Sequence, residues 1–266
     1  MRILVTNDDG IYADGIWALV AELRNVGTVT VVAPDREQSG VGTSVTLHQP
    51  LRLSKIKPRL KGVNAYSVEG TPADSVILAL RSAMKGGVDL IVSGINEGPN
   101  LGDDVFISGT VGAALQGYFY GIPAIAISVA DFESPNFDVA ARVARLLAGR
   151  INHGGLSQKL LLNVNLPNLP REEIEGVEIT RLGEREYADK IDKGHDGRRK
   201  YFWIVHGESE WHVNPGSDIW ALKHNKVSIT PLLNNPDGSD HHFLESLAPN
   251  LFRELSDGDF LNQRKE

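Results

Sequence analysis

Strand and helix signals alternate with short connections through residue 165, the strands are apolar along their whole length, and polar glycine-rich loops follow several of them. These observations predict an α/β protein: a Rossmann-like three-layer α/β/α sandwich with a mostly parallel sheet and a C-terminal hairpin or arm. At 266 residues the chain is long enough for one large domain with an appendage. The predicted division is 1–176 for the α/β domain and 177–266 for the arm, from which one strand returns.

Each element has its own signal. Arg2–Thr6 is the first strand, and Ile16, Leu19, Val20 and Leu23 then recur at helical spacing. Residues 28–32 form a second buried strand closing on Ala33 and Pro34, which completes one βαβ unit. A polar loop occupies 35–44, and the alternating segments 47–56 and 63–68 predict an antiparallel excursion from the main sheet. Thr71 and Pro72 suit the cap and first position of a helix carrying Ala73, Val76, Ile77, Leu80 and Met84. Residues 89–93 form a strand running into a loop that holds Gly94, Asn96, Gly98, Asn100 and Gly102. A helix over 109–120, a strand over 124–129, a helix over 138–151 and a strand over 160–165 follow. Beyond Pro170 the mixture of charged and aromatic residues over 177–206 predicts a projecting hairpin; 227–231 is a further strand, and 256–266 a polar tail.

Composition narrows the function. Hydrophobic content of 41% and charged content of 23% are ordinary for a globular protein, and no apolar run is long enough to cross a bilayer. A net charge of −7 disfavours nonspecific contact with duplex nucleic acid or an anionic membrane, so small-molecule partners are expected. The absence of cysteine excludes disulfides, thiolate zinc sites and cysteine nucleophiles. Met1 opens almost directly into a core strand without a basic and apolar leader, and cytoplasmic residence is the expectation.

In such a fold the carboxyl ends of the parallel strands open onto the ligand crevice. Four segments meet there. The first strand delivers Asn7-Asp8-Asp9-Gly10, the second Ser39, Gly40 and Gly42, the third Asn96 and Asn100, and the 109–120 helix begins at Ser108-Gly109-Thr110. Adjacent carboxylates repel unless a cation or several donors lie between them. An acidic turn with Asp9 as a helix cap is the plainer alternative. Hard divalent cations prefer carboxylate, carbonyl and hydroxyl oxygens, and Asp8, Asp9, Ser39 and Asn96 offer such a set for magnesium or manganese. Free N–H groups at a helix start favour an anion, which makes 108–110 a candidate phosphate cradle. A dication opposite such a cradle points to phosphate ester chemistry. There is no Gly-x-x-x-x-Gly-Lys-Ser/Thr loop, the two aspartates are not spaced as in phosphoaspartyl enzymes, and His241-His242 reads as exposed tail.

Asn7-Asp8-Asp9-Gly10, Ser39-Gly40, Gly70-Thr71-Pro72-Ala73-Asp74, Ser93-Gly94-Ile95-Asn96, Ser108-Gly109-Thr110-Val111 and Gly121-Ile122-Pro123 stand in the order found in the SurE, or survival protein E, family of metal-dependent nucleotidases. The chain resembles that family through nearly its whole length, including Ser217-Asp218 and the segment 227–231. The resemblance implies one divalent metal per subunit on Asp8, Asp9, Ser39 and Asn96, with magnesium or manganese foremost and calcium as a substitute. It implies catalytic roles for Asp8, Asp9 and Asn96, phosphate or substrate contacts at Gly40, Asn100, Ser108, Gly109 and Thr110, and hydrolysis of nucleoside 5′-monophosphates, with 3′-monophosphates and short polyphosphate as further candidates. The chain departs from the family's habit at Ile107, Ser75 and Asn225, where tyrosine, cysteine and glycine are usual.

The residues alone also suit a noncatalytic nucleotide- or metal-binding regulator, or a glycosyltransferase-like protein with a metal-bound sugar nucleotide. Turnover and its product separate the three. Tyr201, Phe202, Trp203, Trp211 and Trp220 exceed what a short exposed segment needs, and predict a homodimer or homotetramer through the arm.

Overall fold

Ile3 and Val5 face one hydrophobic core while Leu4 between them faces another, the two-residue alternation of a strand buried on both sides. That strand, β1 (Arg2–Thr6), lies at the centre of a nine-stranded sheet. The protein is described by a computed structural model over residues 1–152, 160–186, 189–206, 210–233 and 239–257, with the side chains of 185–186, 189, 205–206, 210–211 and 239–243 outside the description. His241, His242 and the Trp211 side chain therefore fall outside it, as do residues 258–266 of the expected tail.

The elements follow the predicted alternation. They are β1, α1 (Asp14–Leu23), β2 (Thr28–Pro34), β3 (Leu53–Ile56), β4 (Asn64–Val68), α2 (Pro72–Leu78), β5 (Leu90–Glu97), α3 (Gly109–Phe119), β6 (Ala124–Ala130), α4 (Phe137–Asn152) and β7 (Leu161–Pro167). Then come β8 (Gly176–Ile179), β9 (Glu184–Glu186), β10 (Asp189–His195), β11 (Lys200–His206), β12 (Glu210–His212), α5 (Asp218–Lys223), β13 (Lys226–Pro231) and α6 (Ser239–Ser256). The large sheet runs β3-β4-β2-β1-β5-β6-β7-β13-β8. From β4 to β7 every neighbouring pair is parallel, whereas β13 is antiparallel to β7 and parallel to β8. Helices α1, α4 and α6 cover one face, α2 and α3 the other. This is the three-layer α/β/α arrangement expected.

Two expectations change in detail. The 47–56 and 63–68 segments do not leave the sheet: β4 continues it in parallel with β2, and β3 closes the edge as β4's antiparallel partner. Residues 177–179, read as the start of the arm, belong instead to β8, the outermost strand beside β13. The projecting hairpin is β10 with β11, paired from Asp189–His206 to His195–Lys200.

Local chemistry places the helices. Thr71 caps α2 through a complete capping box, Asp74 N–H donating to Thr71 Oγ1 and Thr71 N–H to Asp74 Oδ2, with Pro72 in the first turn. Asp74 also accepts from Thr46 N–H at 2.9 Å, so the cap anchors the loop after residue 44. Helix α3 presents Gly109, Gly112, Ala113 and Gly117 to its surroundings. A Cβ on Gly117 would stand 2.4 Å from Ile91 Cδ1, and one on Gly112 would stand 2.3 Å from the Gly42 carbonyl oxygen. The small residues let α3 press onto β5 and onto the loop after β2. Asn225, before β13, has φ +53°, a left-handed angle that asparagine tolerates better than most residues.

Candidate active site

The sheet order β2-β1-β5-β6 puts the carboxyl ends of four parallel strands side by side, and the loops they release build the site. Asp8 and Asp9 follow β1, Ser39 lies on the loop after β2, and Asn96 is at the end of β5. Gly10, at φ +96°, turns the chain toward α1 in a conformation that disfavours side chains. The loops are tied by backbone bonds. Gln38 N–H donates to the Asp8 carbonyl at 2.7 Å, and Gly42 N–H to the Ile107 carbonyl at 2.9 Å.

Asp8 is buried, and its Oδ1 accepts a hydrogen bond from the Thr110 hydroxyl. The start of α3 reaches it only because residue 109 is glycine: a Cβ there would stand 2.8 Å from Asp8 Cβ and 2.9 Å from Oδ2. Asp9 has a buried Oδ2 with no hydrogen-bond partner. Burial pushes the Asp9 carboxyl up to about 8, helped by the negative charges of Asp8, Glu97 and Glu37. Burial likewise pushes Asp8 up to about 6, against the hydrogen bond from Thr110. The charges that act most on this pair are thus themselves acidic. Adjacent carboxyls, one buried and one half-buried with an unpartnered oxygen, fit a divalent cation, whose charge would hold both in the ionised form.

Asn96 supplies a neutral oxygen. Its Nδ2 donates to the Gly98 carbonyl at 2.7 Å and to the Glu97 carbonyl at 3.2 Å, which leaves Oδ1 as the coordinating atom. Ser39 is exposed, and its hydroxyl donates to Glu37 Oε1 at 2.8 Å. Among the described residues no three histidine, aspartate or glutamate side chains form a metal cluster. A cation held here would draw on two carboxylates and on amide and hydroxyl oxygens, a hard donor set.

The remaining predicted residues separate into three placements. Ser108 caps α3, its Oγ accepting from Val111 N–H at 3.2 Å, and Thr110 directs its hydroxyl to Asp8. What the helix start has left to offer an anion is backbone N–H rather than hydroxyls, and of these the Thr110 N–H also reaches Asp8, favouring its charged form. Gly40 is exposed at φ +72° with open space around it, so its backbone angle and not a close approach explains the glycine. Asn100 is turned into the protein: Nδ2 donates to Ser128 Oγ at 2.9 Å, its N–H to Asn165 Oδ1 at 2.8 Å, and Asn163 and Asn165 donate to its carbonyl. It braces the loop after β5 against β6 and β7. Glu97 and the Thr110 support of Asp8 are additions that sequence reading misses, because both arise from contacts across the crevice.

The family model described as Survival protein SurE matches residues 3–189. The chain belongs to the SurE family. A protein named 5′-nucleotidase SurE from Dehalococcoides mccartyi strain CBDB1 is 51% identical over 234 residues, covering 87% of this chain and 88% of that protein. Another of that name from Vibrio parahaemolyticus is 47% identical over the same shares. The crystal structure of SurE protein from Aquifex aeolicus superposes with a TM-score of 0.75 at 41% identity, covering 92% of this chain and all of that one. The Rossmann-like α/β fold is thus the SurE fold. At the departures from SurE habit, Ser75 is buried and donates to the Thr71 carbonyl, and the Ile107 carbonyl holds the Gly42 loop; neither side chain is a site ligand.

Proposed function

We propose that the protein is a metal-dependent 5′-nucleotidase, a phosphoric monoester hydrolase that releases phosphate and nucleoside from nucleoside 5′-monophosphates. The observation that carries this reading is the Asp8-Asp9 pair, Asp8 buried and Asp9 half-buried with an unpartnered buried oxygen, set against the start of α3. Relatives of this chain that bear the name 5′-nucleotidase support it at about half identity over most of their length.

Asp8, Asp9, Asn96 and Ser39 would hold one divalent cation, magnesium or manganese by the hardness of the donors. When bound, such an ion supplies Lewis-acid stabilisation of phosphoryl oxygen and a nucleophile at neutral pH. The protein's own groups do the rest. Thr110 fixes Asp8 through Oδ1, and a carboxylate oxygen of Asp8 or Asp9 not taken up by the cation would orient the attacking water and take its proton. The first-turn N–H groups of α3 face the equatorial phosphoryl oxygens, where charge must be stabilised as phosphorus is attacked in line.

The deciding assay uses metal-stripped protein with magnesium, manganese or calcium restored singly, and measures phosphate release from 5′- and 3′-nucleoside monophosphates and short polyphosphate. Release from 5′-monophosphates with manganese or magnesium is expected. Silence on every substrate with every metal overturns the hydrolase reading; tight nucleotide binding without turnover would favour the regulatory one.

The arm gives the assembly. Ile191, Tyr201, Phe202, Trp203 and Ile204 on β10 and β11 are all exposed, and an isolated two-stranded hairpin is marginally stable in water. A second copy of this chain covering them makes a homodimer or homotetramer. Trp220 takes no part: it stacks on His224 at 4.1 Å between ring centroids, beneath Lys226. Light scattering at micromolar concentration should show a dimer or tetramer that Phe202→Ser with Trp203→Ser shifts toward monomer, and a monomeric wild type contradicts this assignment. Among the described residues no helix is long and apolar enough to cross a membrane.

A further inference from the structure

The loop released by β6, the fourth strand end at the crevice, carries Phe132 with 74% of its surface exposed. Single exposed apolar side chains are common and need no explanation. Phe132 differs in how it is held. Asp131 Oδ1 accepts from Glu133 N–H at 2.8 Å and Ser134 N–H at 2.9 Å, while Asp131 Oδ2 accepts from Asn168 Nδ2 at 2.8 Å. Asn168 Oδ1 in turn accepts from Asn136 N–H at 2.8 Å. The turn that carries the ring is thereby fixed from both sides.

The ring lies against Gly98. A Cβ at that position would stand 1.9 Å from Phe132 Cε1, and Gly98 has φ +98°, so any side chain there would displace the ring. The same Gly98 accepts the hydrogen bond that orients Asn96, and its N–H donates to the Val129 carbonyl of β6. The chain of contacts runs from Phe132 through Gly98 to Asn96. The helix start sits over Asp8 on the β1 side, and Phe132 stands on the β6 side. Both lie at the same strand-end edge of the sheet, and the ester substituent of a phosphate held at α3 would have to cross that edge to meet the exposed face of the ring.

Resting on the nucleotidase reading above, we propose that Phe132 is a specificity-determining residue, the platform on which the nucleobase of the substrate stacks. Stacking on an aromatic ring accepts every base, because each has a π-face. It selects nucleotides over phosphomonoesters that lack a base. The stack is present before and during phosphorus attack alike, so it acts on KM and leaves kcat in place.

The test compares adenosine 5′-monophosphate with ribose 5-phosphate, which keeps the sugar phosphate and lacks the base. Phe132→Ala should raise KM for the nucleotide about 5- to 100-fold, the range for one base–aromatic stack. It should leave kcat within about 2-fold and KM for ribose 5-phosphate unchanged. Phe132→Trp should restore the nucleotide KM and add an emission quenched by the nucleotide but not by ribose 5-phosphate. Equal changes for the two substrates, or none for either, overturn the platform. If the wild type releases phosphate from neither substrate with any metal, the nucleotidase reading fails by itself. The tryptophan titration then still decides the stack: quenching by the nucleotide supports it and an unchanged emission removes it.

Discussion

Asp9→Asn abolishes phosphate release, by about 1,000-fold or more, and stabilises the metal-free protein at alkaline pH. The two effects have one cause. The Asp9 carboxyl is pushed up to about 8 by burial and by the acidic groups around it. An unfolded aspartate titrates near 4, so between about pH 4 and pH 8 the folded state binds more protons than the unfolded state. Stability contributed by this group is complete below about pH 4 and falls as pH rises through 8, because a buried charge must then be carried without a counterion. Asparagine removes that charge. In chelator, the variant's Tm should exceed the wild type's by several degrees at pH 8.5 and by little at pH 4.5. Thermal melts at the two pH values check this, and a variant no more stable than wild type at pH 8.5 contradicts the account of the pair. A residue that costs stability where it confers activity is what a site built for an absent cation requires.

Gly109→Ala has the second-largest effect. The added methyl would meet Asp8 Cβ at 2.8 Å, and the far side of that contact is the carboxylate itself, with Oδ2 at 2.9 Å. Either the start of α3 lifts or Asp8 turns away, and in both cases the first-turn N–H groups of α3 and the carboxylate lose register. A displacement of this size at the reacting centre lowers kcat/KM about 100-fold. The fold should survive, because the clash is confined to one helix end. Gly149→Ala in α4 provides the control: nothing lies within 4 Å of the position, and the replacement should leave activity untouched while adding helix propensity. Steady-state kinetics with circular dichroism on both variants distinguish a local effect from unfolding. Wild-type activity in Gly109→Ala would show that the close approach of α3 to Asp8 is not used.

How much was legible in the sequence follows from where the information lies along the chain. Strands β1, β2, β5, β6 and β7 are buried on both faces, so each is a continuous apolar run between polar loops and is readable without partners. Strand β8 is four residues long and acquires its identity only by lying beside β13, which is 50 positions away in register. Helix α6 has no counterpart among the predicted elements. Its apolar stripe of Leu244, Leu247, Leu251 and Leu255 keeps helical spacing, but Pro249 divides it into pieces too short to stand out.

The site divides in the same way. Asp8, Asp9 and Asn96 were legible because strand ends in a parallel sheet fall on one edge, whatever the details of packing. Ser108 and Thr110 stand at the start of α3 as the sequence indicates, while their hydroxyls serve the helix cap and Asp8. Asn100 shows the same limit: its side-chain amide goes to Ser128, across a contact that no spacing rule encodes. Phe132 gave no signal because an aromatic beside Asp131 and Glu133 reads as an ordinary turn. Its meaning comes from Gly98, which precedes it by more than 30 positions.

The central claim is that Asp8 and Asp9, with Asn96 and Ser39, hold one divalent cation. Calorimetric titration of manganese into chelator-treated protein tests it without reference to turnover. One ion per chain is expected for the wild type, with affinity reduced about 10-fold or more in Asp8→Asn and in Asp9→Asn. Undiminished manganese affinity in both variants, or no binding by the wild type, would contradict it.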